Sequence, residues 1–296
     1  MVIAAAREDK PTVAVILMFV AVFLFTLIDS SAKWLILYGL PAVQVIFARY
    51  CGAFLVLILL FIPRGGLNQF VSNNPKLQFS RAIALLGGTT FNFLALQFLP
   101  ITTTIAIFFA MPLVITVLGY FILGEKVGFR RFAAVFAGFV GVLIIIQPWG
   151  EDFHWAMILS VAALFCASSY FILTRLLAGQ DNNSTSQLWS SGVATFAIAP
   201  FALQSWHWPQ TNMGFCVLVI IGVFGAISHI LATRAHLLAN ASTLAPTMYA
   251  QVIYATAIGY FVFDTLPSGW TGLGTIIIIG SGLFIWRREN TFRQKL

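Results

Sequence analysis

Long apolar runs, each broken by a few polar residues, follow one another along the whole chain. They predict helical spans over Thr12–Ile36, Ala42–Ile62, Ser80–Phe98, Ile101–Leu123, Arg131–Gln147, Trp155–Leu177, Ser186–Ser205, Phe215–Leu238, Ser242–Phe263 and Ser268–Trp286, ten in all. Each run approaches the roughly 20 residues that a helix needs to cross a bilayer. None alternates as the strands of a membrane barrel do. The intervening loops are short, so no sizeable extramembrane domain is expected.

The polar positions set an orientation. With the N-terminus in the cytoplasm, the inner loops and helix ends hold Arg7, Lys10, Arg64, Lys76, Arg81, Lys126, Arg130, Arg131, Arg175, Arg234, Arg287, Arg288, Arg293 and Lys295, which leaves only Lys33 and Arg49. The outer loops hold Glu151, Asp152 and Asp264. Cations collect in cytoplasmic loops, so both termini are expected inside a bacterial-type inner membrane. The stretch from Met1 to Lys10 carries two acids and no small-residue cleavage pattern follows it, which suits a retained first helix rather than a signal peptide.

Sliding the chain by 140 residues lays Thr116-Val117-Leu118-Gly119-Tyr120-Phe121 on Thr256-Ala257-Ile258-Gly259-Tyr260-Phe261, Thr103 on Thr243 and Ala110 on Ala250. Each half then holds five spans, and an odd number forces the second half to enter the membrane in the opposite sense. The expected fold is an all-α integral membrane protein of ten helices in two inverted five-helix repeats, residues 1–150 and 151–296. A substrate site belongs near the midplane between such repeats. Lys33 has a plausible counterpart in Arg175.

Composition narrows the function. The chain is 60% hydrophobic and 8% charged, with mean hydropathy +0.94, against about 25% charged residues in a soluble domain. A soluble enzyme is excluded. The net charge of +7 is accounted for by the loops, so no nucleic-acid partner is expected. Cys51, Cys166 and Cys216 lie inside apolar runs and suggest neither a disulfide nor a metal site. Gly124-Glu125-Lys126 lacks the spacing of a phosphate loop, and no catalytic or metal-ligand cluster has a consistent spacing. No enzyme activity, ATP-binding segment or cofactor is expected. The expected partners are a small-molecule substrate and membrane lipid.

Ionisable residues inside a span mark function by default. Asp29 and Arg49 sit at similar depth in the first two spans, and Lys33 shares a helix face with Asp29. This trio is either a substrate or proton-linked gate or a structural ion pair. Thr247, Gln251 and Tyr254 form one stripe on the ninth span. His229, Thr89, Asn92, Ser169 and Tyr170 with Cys166 offer further polar groups at mid-depth, suited to a zwitterion or to interhelical hydrogen bonding. Pro112 and Pro246 permit kinks and hinge-like gates in the fourth and ninth spans. Pro112 is central and Pro246 near the inner end, so the two halves are expected to differ there. Gly87-Gly88, Gly138 and Gly141 suit close helix packing.

Asp29-Ser30-Ser31-Ala32-Lys33-Trp34, Gln44-Val45-Ile46-Phe47-Ala48-Arg49-Tyr50, Leu123-Gly124-Glu125-Lys126 and Phe263-Asp264-Thr265-Leu266-Pro267-Ser268-Gly269-Trp270 resemble the drug/metabolite transporter superfamily in its ten-helix EamA form. The resemblance covers essentially the whole chain. It implies a secondary transporter working by alternating access, with amino-acid export of the YddG-like kind as the first expectation. A vitamin, a nucleotide-related metabolite or a cationic drug is the alternative cargo, and a non-transporting membrane enzyme or receptor the more distant one.

Overall fold

The computed structural model describes residues 10–124, 129–150, 153–177, 179–239 and 244–293. Arg7, Glu125, Lys126, Glu151, Asp152, Thr243 and Lys295 lie outside them. The helices are α1 (Pro11–Leu37), α2 (Ala42–Gly65), α3 (Pro75–Leu96), α4 (Ile101–Phe108), α5 (Met111–Leu123), α6 (Phe129–Ile146), α7 (Ala156–Leu176), α8 (Asn183–Gln204), α9 (Asn212–Leu238), α10 (Ala250–Phe263) and α11 (Gly269–Arg293), with 3-10 turns at Leu67–Phe70 and Ala245–Tyr249. The third span starts earlier than its apolar run. Asn74 caps it by accepting from the Leu77 N–H, and Pro75 occupies the first turn, where a missing N–H costs nothing.

Among the described residues, α1, α2, α3, α7 and α9 are each long and apolar enough to cross a membrane, and α4 with α5 together make a sixth such span, Ile101–Leu123. The outside of the bundle agrees with a lipid setting, since Phe121, Phe129 and Phe261 are exposed while Lys33, Gln44, Arg49, Gln78 and Arg81 are buried. Trp155, Trp208 and Trp270 are exposed near span ends, as aromatic residues at a membrane interface are.

The helices of each half pack largely on the other half. Helix α1 lies along α9 and α3 along α7, equivalent contacts if the first span corresponds to the sixth and the third to the eighth. Helix α6 pairs with α11, and α2 with both α8 and α9. Where α2 crosses α9, Gly52 meets Gly222, and where α6 crosses α11, Gly141 meets Gly274. Small residues let helix backbones approach where lipid gives no hydrophobic push.

The fourth and ninth spans are both broken. Helix α4 ends at Phe108 and α5 begins at Met111, while the turn Ala245–Tyr249 gives way to α10 at Ala250. The repeat offset lays Phe109 on Tyr249 and Ala110 on Ala250, so the breaks coincide. This corrects the asymmetry expected from the prolines. Pro112 lies in the first turn of α5 and is exposed, and Pro246 falls in the first turn of the 3-10 segment. Neither proline sits at the break itself. Both spans also end alike: Gly124 and Asp264 take left-handed conformations (φ +66° and +52°), and their N–H groups donate to Gly119 and Gly259.

Candidate functional site

Between the halves lies a closed gap of about 10 Å³, lined by Arg49, Tyr50, Ala53 and Leu57 of α2, Leu85 of α3, Gln187 and Ser191 of α8, and Gly225, Ala226 and His229 of α9. Arg49 is buried. Its Nη1 donates to Thr89 Oγ1 at 3.1 Å, and its guanidinium stacks over the Tyr50 ring at 4.5 Å. The Tyr50 hydroxyl lies 2.7 Å from the same Thr89 oxygen and 3.1 Å from the Leu85 carbonyl. One turn further along α3, Asn92 Nδ2 donates to Asp29 Oδ1 at 3.0 Å. Arg49 is near enough to act on the Asp29 carboxylate electrostatically. The Asp29–Asn92 pair and the Arg49–Thr89–Tyr50 group thus lie one helical turn apart along α3.

Lys33 does not pair with Asp29 by a hydrogen bond. It donates to the Leu96 and Leu99 carbonyls at 3.2 and 2.5 Å and lies 5.6 Å from the Phe263 ring. A cation there satisfies carbonyls left open at the end of α3. Its sequence counterpart Arg175 is exposed instead.

Other expected residues fall elsewhere. His229 joins Arg49 at the cavity and meets the Phe25 ring edge-on at 5.1 Å. The ninth-span stripe does not line this cavity: Tyr254 packs against Phe23 at 5.2 Å, Thr247 donates to the Leu244 carbonyl at 2.6 Å, and Gln251 is half-buried. Ser169 donates to Phe165 in its own helix at 2.8 Å. Tyr170 instead accepts from Arg81 Nη2 at 2.7 Å.

Arg81, expected among the inner loop and helix-end cations, is buried. Its Nε donates to Thr174 Oγ1 at 2.7 Å and its Nη1 to Ser190 Oγ at 2.7 Å and the Ser186 carbonyl at 3.0 Å. It ties α3 to α7 and α8. Beside it, Asp181 accepts from Ser72 Oγ at 2.5 Å, the Asn73 N–H at 2.8 Å and Gln78 Nε2 at 2.8 Å. Burial works against the charge on Asp181, but the bonds from Ser72, Asn73 and Gln78 outweigh it and hold the carboxyl below its usual range. Trp189 Nε1 adds a bond to the Phe70 carbonyl at 2.9 Å. These contacts latch the α2–α3 loop to the α7–α8 loop. At the opposite end, Gln44 makes a two-point bond to the His207 backbone at 2.7 and 2.9 Å.

Sequence reading missed Gln187, Ser191, Tyr50, Arg81 and Asp181. Gln187 and Ser191 stand four residues apart, the same stripe signal that singled out Gln251. Nothing local marks Asp181, whose partners lie about a hundred residues away.

The model of the EamA-like transporter family matches residues 12–147 and again 154–287. The chain belongs to the EamA-like transporter family. Two matches in tandem fit the two five-helix repeats. A riboflavin transporter from Vibrio cholerae serotype O1 is 30% identical over 300 residues, covering 97% of this chain and 98% of that protein. An S-adenosylmethionine uptake transporter from Rickettsia bellii is 28% identical over 277 residues, covering 92% and 94%. A solved structure at 19% identity superposes with a TM-score of 0.64 over 94% of this chain and 98% of that one, which shows the shared fold.

Proposed function

We propose that this EamA-family transporter carries a neutral nitrogen heterocycle of the flavin class inward by alternating access between two halves, residues 1–150 and 151–296. The single observation that carries the cargo reading is the lining of the cavity between the halves. Among the described residues this lining offers hydrogen-bonding groups on Arg49, Gln187, Ser191 and His229 and an aromatic ring on Tyr50, and no carboxylate; at about 10 Å³ the gap is closed in this conformation and would open around a cargo. Such a wall suits a flat, uncharged ring with carbonyl edges better than a cation. The similarity to a riboflavin transporter supports the same class. Amino-acid export, the first expectation, draws no support from the named relatives.

Arg49, Thr89, Asn92 and His229 form the substrate contact in this reading. Asp29 is the coupling candidate, Lys33 and Gln44 hold the end expected to face outward, and the Asp181 latch closes the end expected to face the cytoplasm. Pro112 and Pro246 flank the hinges at the two breaks, and Thr247, Gln251 and Tyr254 move with the second. A cargo like S-adenosylmethionine is the second reading, because a sulfonium would seek Asp29, the acid within a span.

The test is growth of a riboflavin-requiring bacterium that lacks its own uptake system. Expression of this chain is expected to lower the riboflavin concentration that supports growth. An unchanged requirement, with the protein present in the membrane, contradicts the flavin reading.

A further inference from the structure

The Arg49–Thr89–Tyr50 group and the Asp29–Asn92 pair each hold a buried atom whose hydrogen-bonding capacity is unused: the Arg49 Nε donor and the Asn92 Oδ1 acceptor. Both side chains are 7% exposed. Buried polar groups are nearly always partnered, and one that is not calls for an explanation.

The geometry fixes what each can offer. Asp29 as a carboxylate can only accept, so the Asn92 amide must turn its Nδ2 towards it, as it does at 3.0 Å. That leaves Oδ1 as a committed acceptor. Arg49 is held through Nη1 by Thr89 and stacked on Tyr50, so its guanidinium cannot swing freely to satisfy Nε. Thr89 and Asn92 are three residues apart on α3, neighbours on one helix face. One orphan donor, in the Thr89 group, and one orphan acceptor, in the Asp29–Asn92 pair, therefore stand one helical turn apart along α3, each side chain held by a second bond.

We propose that Arg49 Nε and Asn92 Oδ1 form a two-point recognition site for one edge of a nitrogen heterocycle, a ring carbonyl accepting from Arg49 and the adjacent ring N–H donating to Asn92. A cyclic imide, as in the flavin ring system, has this edge. An amino-acid zwitterion fits less well. Its ammonium has three protons to place against one unused acceptor, and its carboxylate takes two donors where one is unused. The inference rests on the flavin reading of the cargo and adds the residues that read the ring. A site built to bond a ring N–H rejects an analogue without it, because the partner is left buried and unpaired.

The experiment compares riboflavin with 3-methylriboflavin, in which the imide N–H is replaced by N–CH3, as cargo for the full chain in liposomes of phosphatidylethanolamine and phosphatidylglycerol. Riboflavin is expected to be taken up at least about ten-fold faster, about 1.4 kcal/mol of discrimination. Asn92→Ala is expected to slow riboflavin and bring the two rates close together. Arg49→Lys, which keeps the charge and loses Nε–H, is expected to slow both flavins while the preference between them persists through Asn92. Riboflavin uptake with equal rates for the two flavins in the unaltered protein overturns the two-point site and leaves the cargo reading standing. Equal slowing of both flavins in Asn92→Ala, with the preference intact, makes Asn92 structural and overturns the site as well. No uptake of either flavin, with saturable uptake of an amino acid, overturns both.

Discussion

The rings of Phe109 and Tyr249 meet at 5.5 Å between centroids, tilted by 60°. They occupy the same repeat position, each at the break in its span, so the two interrupted helices touch at their weakest points. A broken helix leaves backbone groups unpaired and concentrates bending there. Helices that rock against each other would bend at this contact. A double-mutant cycle with Phe109→Ala and Tyr249→Ala is expected to give a coupling of about 0.5–1.5 kcal/mol in the unfolding of the purified protein. Additive losses would mean the two hinges are independent.

A Cβ on Gly222 would lie 2.6 Å from the Gly52 Cα, and one on Gly52 would lie 3.0 Å from the Gly222 Cα. The neighbouring atoms are backbone, so the helices must separate to admit a methyl group. Gly222→Ala is expected to cost about 1–3 kcal/mol and Gly52→Ala less. Thermal unfolding followed by retention of the monodisperse peak would rank them. Equal tolerance of both would show that α2 and α9 have slack between them.

At the ends of the fourth and ninth spans, Gly124 and Asp264 perform the same turn with φ of +66° and +52°. Glycine takes this conformation freely, and aspartate tolerates it better than most residues. Asp264→Gly is therefore expected to be neutral or to stabilise by up to about 1 kcal/mol, while Gly124→Ala destabilises by a similar amount. A clear loss of transport in Asp264→Gly without loss of stability would assign the carboxylate a role beyond the turn.

The Asp181 latch has a pH signature. Its carboxyl is held below the usual range by donors on Ser72, Asn73 and Gln78, so its contribution is complete at neutral pH and fades as pH falls through the lowered value. The stability gap between the native chain and Asp181→Asn is expected to be constant at neutral pH. It should shrink once pH drops below about 4, the ordinary aspartate value. The site is open to water, so the gap is expected to be about 1 kcal/mol. A gap that grows on acidification would contradict the donor arrangement.

Much of the fold could be read directly from the chain. Apolar run length placed the spans, although α3 starts five residues before its run and α11 ends seven residues after its own, and the Thr116–Phe121 match to Thr256–Phe261 located the repeat on which the two breaks and two caps agree. Pro112 marked the first break, since α4 ends at Phe108, whose carbonyl the missing Pro112 N–H would have bonded, while Pro246 lies four residues before the second break at Ala250. At the site, the charged residues Asp29 and Arg49 stood out in the sequence, whereas their bonds go to Asn92 and Thr89 on α3, which sequence spacing does not specify. The Asp29–Lys33 pairing failed because helix spacing says which groups share a face and nothing of the carbonyls that α3 presents to Lys33. Arg81 lies in the second turn of its helix, where a cation ordinarily reaches back to water. The hydroxyls of Tyr170, Thr174 and Ser190 and the Ser186 carbonyl, from two other helices, keep it inside.

The most direct test of transport through the space between the halves is riboflavin uptake by liposomes containing a chain whose latch can be locked. Ser72→Cys with Asp181→Cys, in a background where Cys51, Cys166 and Cys216 are replaced by alanine, places two thiols where a 2.5 Å hydrogen bond now joins the loops. Saturable riboflavin uptake is expected before treatment, and its loss after a short bismaleimide bridges the pair. It should persist when a monofunctional maleimide is used instead. Uptake that continues at an unchanged rate in the bridged protein would contradict the account.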